Sequence, residues 1–269
     1  MNNAVRNTDS SLNTLLLTGA GSVKNSWGPI KNRLGSLYGQ FLPESDLNLI
    51  FADIVHQQRW LFSAIKDTKT DVVSREDLKR KFDEISARYR EIKSAIANGL
   101  KKAQEQGQIE LNCEFGKIKQ FFTGEVNIAT TNWDELLQRF DCSGKGQRFS
   151  IHGNIQDQNN IFLPSEMTRE CYRDNPERFE GRVKIMLDDF FKNIHTLILY
   201  GISLSPLDVE LGQLLSAGFF GEKIPRRVVI VDNDPCPVYE RLRFFFRDQV
   251  SMDDWKTKVE LKLLCPSML

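Results

Sequence analysis

Two short, uninterrupted apolar stretches constrain the fold of this chain more than any other feature of its sequence. They are TLILYG at 196–201 and RVVIVD at 227–232, and a stretch with helical features follows each of them. A strand that is apolar on both faces has to be covered on both sides, which is typical of parallel sheets in α/β proteins. We therefore predict a doubly wound parallel sheet with helices on both of its faces.

The earlier part of the chain also alternates between strand and helix patterns. Residues 13–18, 126–129 and 147–153 are predicted strands. This alternation, over 269 residues, fits one Rossmann-like α/β domain that carries an insertion. Helices are predicted at 30–41, 133–140, 182–194, 206–218 and 237–249.

The segment 45–107 has helical periodicity and no strand pattern. It contains a long charged helix, and Ser74 and Asp77 form a predicted capping pair at the start of that helix. We interpret 45–107 as a helical insertion between the first and second strands, and 13–44 with 108–269 as the core of a single domain. The apolar stripe of the long helix comprises Leu78, Phe82, Ile85, Tyr89, Ile92, Ile96 and Leu100.

The length of this helix suggests contact with a second copy of the chain. At roughly 25–30 residues it exceeds the average helix of about 11 residues. Most of the stripe is expected to pack against 47–54 of the insertion itself, and Ile92 and Ile96 against a partner subunit. Charged residues flank the stripe, as they do at helix–helix contacts between subunits. We therefore expect a homo-oligomer.

Charge and cysteine content argue against several classes of function. The 36 Lys and Arg residues balance 36 Asp and Glu residues, so the net charge gives no reason to expect direct nucleic-acid binding. The five cysteines form no C-x-x-C pair, which argues against a zinc ribbon and for a reducing, cytoplasmic compartment. The polar N-terminus lacks a signal-peptide core, and no apolar stretch is long enough to span a bilayer. We expect no metal and no membrane association.

Small and polar residues follow every predicted strand, at the edge of the sheet where such folds bind ligands. Gly19 and Gly21 would let the backbone approach a pyrophosphate. Asn132, Asp134 and Ser203 each have a structural explanation as well, since they precede or begin predicted helices. Three histidines occur in the chain, and His152 is the one placed at a strand end. These strand ends are GAGS at 19–22, TTNWD at 130–134, HGN at 152–154, GISL at 201–204 and DND at 232–234.

Taken together and in order, these motifs resemble the sirtuin superfamily. GAGS resembles its glycine motif, TTNWD its T-x-N-x-D motif and HG its catalytic histidine motif. GISL resembles its G-[TS]-S segment, and VDND at 231–234 resembles the segment with its late ribose-contacting asparagine. The resemblance runs from residue 19 to residue 234 and so covers nearly the whole chain.

Three features of protein-deacylating sirtuins are missing from this sequence. They are the zinc module with two C-x-x-C pairs, the G-[IL]-P-x-F-R segment after the glycine motif, and the acyl-lysine groove segment after the histidine. The corresponding text is VKNSWGPI at 23–30 and NIQDQNNIFLPS at 154–165. What remains is similar to the sirtuin-like domains of bacterial anti-phage defence proteins, which hydrolyse NAD⁺ and often carry a helical insertion in place of the zinc module.

The resemblance implies an NAD⁺ glycohydrolase that releases nicotinamide and either ADP-ribose or a cyclic form. Asn132 would contact the ribose and the attacking water, His152 would act as general base, and Asp134 would orient this loop or bind the nicotinamide side. It also implies an NAD-depleting role in defence, triggered by a partner such as an ATPase or a nucleic-acid-sensing protein. The implied NAD-binding residues are Gly19, Ala20, Gly21, Ser22, Thr130, Gly201, Ser203 and Asn233.

Two other functions stay open at the level of sequence. The chain would be a sensor or scaffold if it bound NAD⁺ or ADP-ribose without cleaving it. The retention of both Asn132 and His152 favours catalysis, because a protein that only binds needs neither. A protein deacylase is the weakest alternative, since the zinc cysteines and the groove segment are absent.

Overall fold

A six-stranded parallel sheet forms the centre of the protein, as predicted. The structure, a computed structural model, describes residues 13–39, 43–67, 74–141, 146–167, 170–172, 190–191, 194–219, 224–246 and 257–269. The sheet has the order β5-β4-β1-β6-β7-β8, and every neighbouring pair is parallel. Its strands are β1 (Asn13–Thr18), β4 (Glu125–Thr130), β5 (Arg148–Ser150), β6 (Ile194–Tyr200), β7 (Arg227–Val231) and β8 (Glu260–Leu264).

Numbered along the chain, the six strands of this sheet have the order 3-2-1-4-5-6, which is that of dinucleotide-binding Rossmann folds. After β1 the chain forms β4 and β5 on one side of that strand. It then crosses back and forms β6, β7 and β8 on the other side. The crevice between the carboxyl ends of β1 and β6 is therefore the point where the strand order reverses. Ligands bind at such points in open α/β sheets.

Alternate residues of the central strands pack into separate cores on the two faces of the sheet. On β1, Leu15 and Leu17 belong to one core and Leu16 to the other, and all three are fully buried. Helices α4 (Val209–Gly218) and α5 (Pro235–Phe246) cover the first face. A 3₁₀ stretch, Cys113–Phe121, contributes to the cover of the second. Burial on both faces explains why the strands are apolar throughout.

Three helices of the described chain lie between β1 and the next strand of the large sheet, and the last two of them occupy the insertion predicted at 45–107. They are α1 (Gly28–Tyr38), α2 (Glu44–Lys66) and α3 (Arg75–Glu105). Ser74 caps α3 as predicted, because its hydroxyl accepts a hydrogen bond from the Asp77 amide at 3.1 Å. The short strands β2 (Val23–Lys24) and β3 (Glu110–Leu111), which the sequence analysis did not predict, pair antiparallel at the two ends of this excursion.

The predicted helix at 133–140 does not form as an α-helix. A single 3₁₀ turn, Leu136–Arg139, occurs there instead. The Trp133 carbonyl accepts a hydrogen bond from the Ile155 amide at 2.9 Å, and the Asp134 carboxylate accepts one from the Leu136 amide at 3.0 Å. These hydrogen bonds use the Trp133 carbonyl and the Leu136 amide, which would belong to the first turn of a helix. Asn132 therefore has no α-helix to cap.

Other predictions are confirmed in part or fall outside the described residues. The strand predicted at 147–153 is shorter and ends at Ser150, so His152 lies in the turn beyond it. Strand β8 was not predicted. The helix predicted at 182–194 lies almost entirely outside the described residues. No helix in the described part of the chain is both long and apolar enough to cross a bilayer.

Burial contradicts the predicted subunit contact through Ile92 and Ile96. Both side chains are fully buried in a core shared by α1, α2 and α3, where Leu34 and Phe51 also lie. A homo-oligomer therefore stays a prediction, without these two residues as its contact surface.

We predict that Ile96→Ala will lower the free energy of unfolding by about 2–5 kcal/mol, because it leaves a cavity in this core. Urea denaturation of the isolated chain measures the change. Lys101→Ala, at an exposed position of the same helix, should change stability by less than about 0.5 kcal/mol. An unchanged stability of Ile96→Ala, together with a lower molecular mass in solution, would return Ile96 to a subunit interface.

Candidate functional site

A cavity of about 290 Å³ lies at the carboxyl ends of the strands, at the point where the strand order reverses. Small-molecule sites typically measure roughly 300–1,000 Å³, so this cavity lies near their lower limit. Loops after β1, β4, β5, β6 and β7 line it, together with residues of α1, α2 and α3. Of the predicted site residues, the ones that line it are Gly19, Ala20, Gly21, Asn132, Asp134, His152, Gly201 and Ser203.

The glycines form the contact between the loops after β1 and β6. The Gly19 amide donates to the Tyr200 carbonyl at 3.1 Å, and the Gly21 amide donates to the Gly201 carbonyl at 2.9 Å. A Cβ atom on Gly21 would lie 2.8 Å from Gly201 Cα, and Gly201 has a φ of 59°. The glycines are therefore needed for this loop–loop contact, and these two amides are already used within the protein.

Ser22 and Thr130 lie behind the cavity wall and do not line it. The Ser22 hydroxyl donates to the Gly19 carbonyl at 2.7 Å, and the Asn132 side-chain amide lies 3.4 Å from the same hydroxyl. The Thr130 hydroxyl accepts from the Asn132 backbone amide at 3.0 Å. These two residues hold Asn132 in the wall, whereas the sequence analysis assigned them to direct NAD contact.

Asp134 places a buried carboxyl group in the cavity wall. Its relative exposure is 4%, and Oδ1 accepts a hydrogen bond from the Leu136 amide at 3.0 Å. Burial raises the pKa of Asp134 to about 6, because the charged form is poorly solvated there. A carboxyl with such a pKa is a suitable proton acceptor near neutral pH.

His152 is held through both of its ring nitrogens. Nδ1 lies 3.1 Å from the Thr131 carbonyl, and Nε2 lies 2.8 Å from Oδ1 of Asp208. Asp208 lines the cavity and also caps α4, since Oδ1 accepts from the Leu211 amide at 3.1 Å. The sequence analysis missed Asp208, which lies within the helix predicted at 206–218 and is the N-cap of the observed helix.

Other acidic and polar residues of the wall were not among the predicted site residues. Glu44 and Asn48 reach the cavity from the first turns of α2, and Asp232 follows β7. Burial raises the pKa of Asp232, and it raises that of Glu44 despite the opposing charge of Lys31. The neighbouring Asn233, predicted to bind a ribose, is exposed and does not line the cavity.

Carboxyl groups outnumber the basic side chains of the cavity wall. Among the described lining residues, four carry carboxyl groups and none is lysine or arginine. Trp27 and Trp133 also line the cavity, and their rings meet edge to face with centroids 6.1 Å apart. A wall of carboxyl groups and aromatic rings favours a positively charged ligand group.

Residues 161–167 together with Glu170, which we call the strap, join the cavity to the helical insertion. The Phe162 amide donates to the His152 carbonyl at 2.9 Å, and the Phe162 carbonyl accepts from the Trp133 indole at 3.0 Å. The Ser165 amide donates to the Leu207 carbonyl at 2.6 Å, next to Asp208. The strap therefore contacts the loops that carry Trp133, His152 and Asp208.

Two buried acidic residues fix the strap to the insertion. Glu166 pairs with Lys93 of α3 at 3.3 Å and accepts a hydrogen bond from Tyr89. Glu170 pairs with Arg59 of α2, whose Nε lies 2.9 Å from one carboxylate oxygen. Breaking a buried pair of this kind is costly, because it leaves one charge without a partner.

Comparison with known proteins adds no family to this description. No protein-family model matches the sequence, and no curated protein matches it significantly. The described residues contain no group of three or more His, Cys, Asp or Glu side chains placed to hold a metal ion. The likeness to sirtuins rests on the five short motifs and their order.

We predict that Asp134→Asn will make the protein more stable above pH 6. The folded-state pKa of about 6 exceeds the ordinary 3.8, so the stability contributed by Asp134 is present below pH 4 and is lost as the pH rises through 6. The asparagine variant lacks this loss, which amounts to roughly 3 kcal/mol when the pKa rises from 3.8 to about 6. Urea denaturation between pH 4 and pH 8 measures the difference from the unmodified chain.

Asp53→Asn is the matched control for this experiment, because Asp53 is exposed on α2. Its stability should follow that of the unmodified chain across the whole pH range. If Asp134→Asn followed the unmodified chain equally closely, Asp134 would not be a buried carboxyl with a raised pKa.

Proposed function

We propose that this protein hydrolyses NAD⁺ at the bond between nicotinamide and ribose. The observation that carries the proposal is the convergence of Asn132, Asp134 and His152 on one cavity at the reversal of strand order. This strand order places dinucleotides at that crevice in Rossmann folds. The five motifs that resemble sirtuins supply the choice of NAD⁺ as the substrate.

The charge of the cavity suits the reaction. Nicotinamide departs with the electron pair of the C1′–N bond as a neutral molecule, and the ribose acquires oxocarbenium character. The carboxyl groups of Glu44, Asp134, Asp208 and Asp232 favour positive charge at that point. Trp27 and Trp133 line the same cavity, and the face of an indole ring attracts a cation such as the nicotinamide ring of the substrate.

Water completes the reaction by bonding to C1′ and giving up a proton. Asp134 is the side chain whose pKa fits this proton acceptor, since at about 6 it is mostly ionised at neutral pH and still basic. Asn132, held by Ser22 and Thr130, is placed to position the ribose or the water. The products are nicotinamide and ADP-ribose, or a cyclic form where a group of the substrate replaces water.

The biological role follows from the resemblance alone. Cleavage of NAD⁺ depletes an essential metabolite, so we place the activity in anti-phage defence under the control of an activating partner. An ATPase or a nucleic-acid-sensing protein fits that description.

We predict that Asn132→Ala and His152→Ala will each slow nicotinamide release by about 10²–10⁴-fold, as expected for the loss of groups on which the reaction depends. The assay incubates the purified chain with NAD⁺ and quantifies free nicotinamide, while melting curves verify that the variants fold. His56→Ala, exposed on α2, is the matched histidine control and should keep full activity.

The same assay separates the other functions. Binding of NAD⁺ by the unmodified chain with no release of nicotinamide would establish a sensor or scaffold. Release that depends on an added acetylated peptide would establish a deacylase. Full activity of His152→Ala would remove the assignment of this cavity as the active site.

A further inference from the structure

We infer that Asp208, and not His152, contacts the reacting ribose, and that His152 is the positioning residue that orients Asp208. The inference rests on the proposed cleavage of NAD⁺ and assigns the side chains of that site. Asp208 would accept a hydrogen bond from the 2′-hydroxyl of the ribose that carries nicotinamide.

The contacts of His152 leave it without a basic nitrogen. A carbonyl oxygen only accepts hydrogen bonds, so Nδ1, 3.1 Å from the Thr131 carbonyl, carries a proton. A carboxylate also only accepts, so Nε2, 2.8 Å from Asp208 Oδ1, carries a proton as well. With both contacts made, the ring is an imidazolium and cannot take a proton from a substrate hydroxyl.

The contacts of Asp208 leave one oxygen for a ligand. Oδ1 accepts from His152 Nε2 and from the Leu211 amide at 3.1 Å. Oδ2 makes no hydrogen bond within the part of the chain that the structure describes. The Asp208 side chain lines the cavity and has 17% relative exposure, against 10% for that of His152. Asp208 is therefore the more accessible partner of the pair.

The backbone around Asp208 holds this carboxylate in a fixed place. The Asp208 amide donates to the Ser205 carbonyl at 2.9 Å, and the Asp208 carbonyl accepts from the Gly212 amide at 3.0 Å. The Leu207 carbonyl accepts from Ser165 of the strap at 2.6 Å. A carboxylate that is fixed before the reaction stabilises developing charge without having to reorganise.

A carboxylate at this hydroxyl stabilises the transition state without forming a covalent bond. The C1′–N bond breaks, its electron pair leaves with nicotinamide, and water forms the new bond to C1′ and gives one proton to Asp134. As positive charge develops at C1′, the hydrogen bond from the 2′-hydroxyl strengthens, as it does in glycoside hydrolysis. Asp208 returns unchanged at the end of the step.

A chemical double-mutant cycle tests the contact. The unmodified chain and Asp208→Asn are each assayed with NAD⁺ and with the analogue that lacks this 2′-hydroxyl. Asparagine keeps the shape and the helix cap of Asp208 but removes the charge. We expect kcat for NAD⁺ to fall about 10²–10³-fold, with KM changed by less than about threefold, and kcat for the analogue to change by less than about threefold, because contacting groups are not additive.

Two controls separate this role from a structural one. Asp53→Asn should leave both substrates unaffected, and melting curves report the fold of each variant. Asp208→Ser keeps a capping oxygen but cannot reach the cavity in the same way, and should match Asp208→Asn in the cycle. Equal losses on both substrates, or full activity of Asp208→Asn, would overturn the inference.

A measurement without substrate tests the pair independently of the proposed function. Nitrogen-15 NMR of the unmodified chain near neutral pH should give two N–H signals for the His152 ring, and Asp208→Asn, which keeps an acceptor oxygen but removes the negative charge, should leave one. A neutral His152 ring in the unmodified chain would overturn the inference, even if NAD⁺ is cleaved. A chain with the imidazolium intact that neither binds nor cleaves NAD⁺ would instead overturn the proposed function and, with it, the substrate contact.

Discussion

The candidate site depends on the close approach of two backbones, those of the loops after β1 and β6. Gly21 and Gly201 meet with no room for a side chain on either, since a Cβ atom on Gly201 would lie 2.2 Å from the Gly21 carbonyl carbon. This contact fixes Ser22, which in turn supports Asn132, and it fixes the start of the loop that ends at Asp208. The two halves of the sheet therefore contribute to one cavity, because two glycines allow the loops to meet at the point where the strand order reverses.

Acidic residues have two distinct uses around this cavity. Glu166 and Glu170 have basic partners in the insertion and are buried with them, so they hold the strap in place. Asp134 and Asp232 line the cavity, and burial raises the pKa of each. Asp208 has a histidine as its partner. Electrostatic stability of the fold and the negative character of the site therefore come from different carboxyl groups.

The sheet was predictable from sequence, whereas the partners within the site were not. The buried strands could be predicted from apolar stretches such as 196–201, because a strand that is buried on both faces has an uninterrupted apolar sequence. The helix predicted at 133–140 does not form, because hydrogen bonds with Ile155 and with the Asp134 side chain compete with those of a first helical turn. Asp208 was missed because its pairing with His152 joins residues 56 positions apart, and local sequence patterns do not indicate a contact over that separation.

The strap limits how this protein can be shortened or recombined. An insertion linked to its domain only through apolar packing could be trimmed to leave a minimal catalytic core. Here removal of α2 and α3 would leave Glu166 and Glu170 beside the candidate site without their counter-charges. The insertion is therefore not a detachable module, and any shortened or recombined version has to carry Lys93 and Arg59, or replace both acids at the same time.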